Sequence, residues 1–252
     1  MTNFIKNILL VGVSYLYAIV RGRSKVKGSR VAKIVVMPAS KLGDMVCATP
    51  IYRAIKDFDR SIKVTVCAGA IYKDLLAGNA DVDDYISWNE TDLFKNIFSI
   101  RKDKYDVAVI TTPSFIASAT FFLAGVKVIT VPRVENGFSP YQTKSYRMML
   151  PLLTVVPHIM GNYAPREYLK LLVPIGITSV ITKKHLSFST KDMSVAESFL
   201  GSSGASHKYN VAIVPGVGNS IKYWDTNNFT LITRYILKNF DSNVFLLGAK
   251  QD

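Results

Sequence analysis

Scarcity excludes several chemistries at once. The 252-residue chain has two cysteines, Cys47 and Cys67, and three histidines, His158, His185 and His207. None of these stands at metal-ligand spacing from another. The sequence therefore implies a reducing compartment and no structural zinc. A Gly-x-Ser-x-Gly nucleophile elbow is missing, as are internal repeats and low-complexity tracts. No apolar run spans a bilayer: Ile8–Val20 includes Gly12 and Ser14 and reaches about 20 Å as a helix, against about 30 Å of hydrocarbon. Acids are also few, 18 against 31 Lys and Arg, for a net charge of +13.

Such a charge favours an anionic partner: nucleic acid, phospholipid or a phosphorylated substrate. Its placement narrows the choice. Residues 1–30 carry Lys6, Arg21, Arg23, Lys25, Lys27 and Arg30, with no acid, beside the apolar run. That pattern fits an anionic membrane surface better than a nucleic acid groove. It predicts an interfacial helix with Tyr15 and Tyr17 near the headgroups and Arg21–Arg30 on anionic lipid. Two other readings stay open, a secretory signal and a helix packed on the protein itself.

The whole chain is 49% hydrophobic, which excludes general disorder. It alternates short apolar runs with helical spacing, as in a parallel sheet wrapped by helices. Strands are expected at Val31–Met37, Ile62–Cys67, Tyr85–Trp88, Tyr105–Thr111 and Val126–Val131, and helices at Met45–Phe58, Ile71–Ala77, Leu93–Ile100 and Ser114–Ala124. The many prolines and glycines of 132–165 predict long loops, before a helix over Arg166–Val173. A second alternation follows: strands His185–Phe188, Tyr209–Val214 and Val244–Leu247, helices Met193–Leu200 and Asn228–Asn239. The implied division is 1–30, a membrane-associating segment; 31–173, a doubly wound domain; and 174–252, a second such domain. With no helix after its last strand, the second domain is expected to be incomplete.

Two stretches between a strand and a helix could carry chemistry. The first is Pro38-Ala39-Ser40-Lys41-Leu42-Gly43-Asp44, at the carboxyl edge of the expected sheet, where ligands bind. Gly43 would let the chain pass close to a ligand, and Asp44 is either a helix cap or a cleft carboxylate. The second is Pro215-Gly216-Val217-Gly218, followed by Lys222, Tyr223 and Trp224. Its glycines let amides turn toward a pyrophosphate and Lys222 adds a point charge, although a tight loop with a solvated lysine fits as well. The dinucleotide fingerprint lacks its third glycine, at Ile221. Asp81, Asp83 and Asp84 lack calcium-loop spacing and read as a solvated turn.

In combination these pieces resemble glycosyltransferase family 9, the bacterial heptosyltransferases. Ser40 to Asp44, Thr49-Pro50 and Arg53-Ala54-Ile55-Lys56 are similar to that family's first signature, and Gly78 to Ile86 to its Gly-Asn-Pro-x-(Ile/Val)-Asp segment. Pro215-Gly216 with Lys222 and Trp224, and Leu247-Gly248-Ala249, resemble its later motifs. Pro38, Val217-Gly218 and Asp225 depart from the pattern, and the family's Asp-Thr-Gly-x-x-His segment is not found.

The resemblance implies an α/β fold of the GT-B kind, with two Rossmann-like domains holding acceptor and nucleotide sugar. Asp44 would be the catalytic base. Lys222 with Gly216, Val217 and Gly218 would hold the donor phosphates, while Ser40, Lys41 and Gly43 would form the acceptor-side loop. The implied reaction is inverting and metal-independent, uses no cofactor, and moves heptose from ADP-heptose to a lipopolysaccharide core or related glycan. Expected partners are the nucleotide sugar, a glycan or glycolipid acceptor and an anionic membrane, with no nucleic acid. The expected place is the cytoplasmic face of the cell membrane. A non-catalytic remnant with weak nucleotide binding and a Rossmann dehydrogenase are the competing readings.

Overall fold

The computed structural model describes residues 2–22, 31–39, 41–203, 207–216 and 222–248. Ser40, Val217, Gly218, Ala249 and the basic residues 23–30 lie outside the described set. By contact the chain forms two compact units, Met1–Ser187 and Phe188–Asp252.

The first unit runs α1 (Thr2–Arg21), β1 (Lys33–Met37), α2 (Leu42–Phe58), β2 (Lys63–Ala68), β3 (Asp84–Ser87), α3 (Leu93–Asp103), β4 (Val107–Ile110), α4 (Phe115–Leu123), β5 (Val128–Val134), α5 (Lys144–Met149), β6 (Thr154–His158) and α6 (Ala164–Leu169). Its strands form one parallel sheet in the order β3-β2-β1-β4-β5-β6. Alternation within each strand divides the core in two. Ile34, Val36, Val64, Val66, Val107 and Val109 meet α2 and α6 on one face. Val35, Ala108, Ile110, Ile129 and Val131 meet α3, α4, α5 and α1 on the other.

Several sequence expectations need correction here. The tract 132–165, expected as loops, contains the end of β5, all of α5 and a sixth strand. Its prolines are compatible with strand because of where they sit. Pro132 lies past the β4–β5 register, which ends at Thr130, and Pro157 lies on the outermost strand. Ile71–Ala77 forms two short 3₁₀ turns, Ala70–Tyr72 and Asp74–Leu76, instead of a helix.

The segment His185–Phe188 forms no strand. The His185 amide donates instead to the Thr49 hydroxyl at 2.9 Å, tying this segment to α2. The first unit therefore runs to Ser187 and includes α1, where the sequence suggested a domain of 31–173 flanked by a separate 1–30 segment.

The N-terminal helix packs on the protein with one face only. Leu10, Val11 and Ser14 are buried, and the Tyr17 ring meets Phe122 edge-on with centroids 5.9 Å apart. Tyr15 donates its hydroxyl to the Met148 carbonyl at 2.8 Å. The Arg21 guanidinium donates to the carbonyls of Gly125 (2.9 Å) and Val126 (2.8 Å) past the end of α4, where a cation suits the helix dipole. The three residues expected at a lipid headgroup layer, Tyr15, Tyr17 and Arg21, thus turn their functional ends to the protein. Among the described residues no helix is long and apolar enough to cross a membrane.

The second unit contains α7 (Thr190–Ser202), β7 (Tyr209–Ile213), α8 (Thr226–Asn239) and β8 (Ser242–Leu246), with β7 and β8 parallel. A Ser189–Asp192 capping box opens α7. Asp225 caps α8 by accepting from the Asn227 amide at 2.8 Å, which accounts for an acid at that position.

Candidate functional site

The strand order reverses direction between β1 and β4, which makes their carboxyl ends the topological switch point of the sheet, where this class of fold opens a crevice. Asp44 is there, in the first turn of α2. Lys41, not Asp44, holds the N-cap position, and no side chain caps the helix. The capping reading of Asp44 is thereby reduced to a favourable charge at the positive helix end, worth about 0.3–1 kcal/mol.

What faces Asp44 is Tyr168 of α6. Burial raises the Tyr168 phenol above its ordinary pKa, and the nearby Asp44 carboxylate reinforces the shift, against the neighbouring Thr111 hydroxyl. The phenol stays protonated beside the carboxylate. Thr111, just past β4, also accepts from the Ala39 amide at 3.0 Å, fixing the loop after β1 against the loop after β4. Sequence reasoning missed Tyr168 and Thr111: one reads as a core aromatic, the other as a strand end.

The rest of the acceptor-side loop is less informative. Lys41 and Gly43 are exposed, and a Cβ at Gly43 would meet open space. In the second unit Gly216 is half-buried and Lys222 exposed. Tyr223 bonds Thr226 at 2.7 Å, and Trp224 packs edge-on against Phe229 with centroids 4.8 Å apart.

The remaining motif residues serve the scaffold. Pro50 within α2 cannot donate to the Val46 carbonyl, and the Thr49 hydroxyl does so instead at 2.8 Å. Asp81 and Asp83 form ion pairs with Arg53 and Lys56 of α2, which corrects the solvated-turn reading. Gly78 has φ of +75°, so glycine is required where the chain turns toward Asn79, whose side chain accepts from the Asp81 amide at 2.9 Å.

At the carboxyl end of β6, Glu167 is buried and accepts from the Ile159 amide (3.0 Å), Asn162 (2.9 Å) and Lys170 (2.6 Å). Burial pushes its carboxyl up, but these bonds outweigh burial and hold it below the ordinary range.

A doubly wound parallel sheet with a carboxylate at its switch point, followed by a second β/α unit, is a fold of the GT-B-like α/β class, as the sequence implied. Within that class its fold is similar to the folds of several solved glycosyltransferases. It is similar to E. coli ADP-heptose LPS heptosyltransferase II, at 21% identity and a TM-score of 0.66, over 87% of this chain and 65% of that one. It is also similar to a glycosyl transferase family 9 protein of Veillonella parvula, at 16% identity and 0.69, over 88% and 63%. E. coli heptosyltransferase WaaC with ADP follows at 13% and 0.60, over 87% and 68%. The chain thus spans about two thirds of the length of these structures. No protein-family model and no curated protein matches the sequence.

Proposed function

We propose that this chain is part of a glycosyltransferase that moves a sugar from a nucleotide donor to a glycan or glycolipid acceptor. The observation that carries this is Asp44 at the switch point of a heptosyltransferase-like fold, facing a phenol that stays protonated. In the proposed reaction Asp44 takes the proton of an acceptor hydroxyl as its oxygen attacks the anomeric carbon. The bond from that carbon to the diphosphate breaks, and the configuration inverts. Lys222 and amides near Gly216 would stabilise the departing diphosphate without a metal. ADP-heptose as donor and the lipopolysaccharide core as acceptor are the specific substrates we propose, on the resemblance of sequence and fold. The proposed location is peripheral, on the cytoplasmic face of the cell membrane, through the N-terminal segment.

The test is a titration of the purified chain with ADP, UDP and NAD, followed by incubation with ADP-heptose and a deacylated core acceptor, read by mass spectrometry. Preference for ADP and a product heavier by one heptose are expected. Preference for NAD, or release of free heptose with no glycosylated product, would overturn the proposal.

A further inference from the structure

The face that α1 turns away from the protein is more apolar than the face it buries. Successive residues of an α-helix are about 100° apart, and on that wheel the docked side mixes Leu10, Val11, Tyr17 and Ala18 with Asn7, Ser14 and Arg21. The outward side holds Ile5, Leu9, Val13, Leu16, Ile19 and Val20, each 51–86% exposed, with Gly12 and Ile8 between them. No polar side chain interrupts this stripe, about 22 Å long from Ile5 to Val20. Six large apolar side chains exposed in one contiguous stripe are the kind of patch that marks an interaction site. The stripe also runs into a groove of about 570 Å³ lined by Ile19, Arg21, Lys127, Ile129, Leu152 and Leu153, beside the start of β5 and β6.

The chemistry at its border identifies the partner. Lys6 is exposed at the stripe's flank, α1 contains no acid, and the sequence just after it adds Arg23, Lys25, Lys27 and Arg30. An apolar stripe flanked by Lys6 and Tyr15, on a helix with no acid, matches an anionic lipid surface, whose headgroups take the charge while the acyl boundary takes the side chains. We infer that α1 is a preformed membrane-docking element, fixed to the first unit by its buried face and inserted by its outer face into an anionic bilayer surface. The inference deepens the peripheral location proposed above. Docking needs no unfolding or release of α1, because the side chains that hold it to the protein are not those that meet lipid.

The test is sedimentation of the full chain with phosphatidylcholine vesicles and with phosphatidylcholine–phosphatidylglycerol vesicles, at low and high salt. The anionic vesicles are expected to bind the protein at least tenfold more strongly, and salt to weaken binding. Leu9→Glu with Leu16→Glu should reduce that binding at least tenfold while the circular dichroism spectrum and melting temperature stay those of the parent. Phe94→Ser with Phe98→Ser, which removes two exposed aromatics of α3, should leave it unchanged.

Full binding by the α1 variant, or equal loss from the α3 variant, would overturn the inference. So would a concentration-dependent dimer that the α1 variant abolishes in the absence of vesicle binding, because a second copy would then cover the stripe. Vesicle binding is read without nucleotide or acceptor, so its failure is separable from failure of the transfer reaction.

Discussion

Arg53 donates from Nε to the buried Asp81 carboxylate at 2.7 Å, and one helical turn further on Lys56 donates to Asp83 at 2.6 Å. Two motif pieces that look independent in the sequence are thus the two halves of one clasp between α2 and the turn before β3. Asp83 also accepts from the Val64 amide at 2.7 Å and Lys56 donates to the Ile62 carbonyl at 2.8 Å, so the clasp reaches β2 as well.

Breaking the clasp should cost stability and spare binding. Lys56→Met is expected to destabilise by about 1–3 kcal/mol, because the Ile62 carbonyl and Asp83 lose their donor. Arg53→Ala should cost less, about 1 kcal/mol, since that side chain is 43% exposed and its pair is screened by water. Urea unfolding midpoints measure both, and ADP affinity should be the same in each folded variant.

Asp44→Asn separates a base from a structural acid. Turnover is expected to fall roughly 10²- to 10⁴-fold, the usual loss on removing a general base. Stability should change by less than about 1 kcal/mol, the worth of the charge at the helix end. Retained turnover in a variant that melts normally would remove the base assignment.

Tyr168→Phe tests whether the phenol positions that carboxylate. If it does so through one hydrogen bond, the loss of about 1.4 kcal/mol corresponds to about a tenfold fall in turnover. Acceptor KM and ADP affinity should stay near the parent values, and the pH profile of turnover should move, which a purely structural role for Tyr168 would not produce.

Tyr52→Phe should stabilise. The Tyr52 hydroxyl is wholly buried in α2 and finds no hydrogen-bond partner among the described residues. Removing it relieves a desolvation cost of about 1 kcal/mol, a rise of roughly 2–4 °C in melting temperature.

Glu167 and Asp106 should set part of the acid limit of stability. Burial raises the Asp106 carboxyl, but bonds from Lys127 and from the amides of Ala32 and Lys33 bring it below its ordinary value, as those around Glu167 do there. With the folded pKa depressed, the stabilisation is complete above the unfolded carboxylate range and is lost as pH falls through the folded value. Glu167→Gln should therefore flatten the fall in melting temperature on acidification.

Most strands of the first unit were legible because runs such as Ile34-Val35-Val36 and Val107-Ala108-Val109 are buried on both faces and so are continuously apolar. Strand β6 was not, since Pro157 reads as a breaker until its edge position is known. His185–Phe188 failed for the opposite reason: local alternation suggested a strand, and no local pattern could show that the His185 amide goes to Thr49. At the site, Asp44 follows the first strand and was visible at once. Tyr168 was invisible because only the order of strands and the packing of α6 on α2 bring it near.

Thr49 both donates to the carbonyl that Pro50 leaves open and accepts from the chain at His185. It sits about 7.5 Å along the same helix from Asp44, and a helix of that length is stiff. The threonine thus makes α2 a shared lever: the carboxylate at its head and the stretch of chain leading out to Ser187 are carried by one rigid rod. A valine at position 49 would keep the shape and cut that linkage, turning a coupled exit into a loose one.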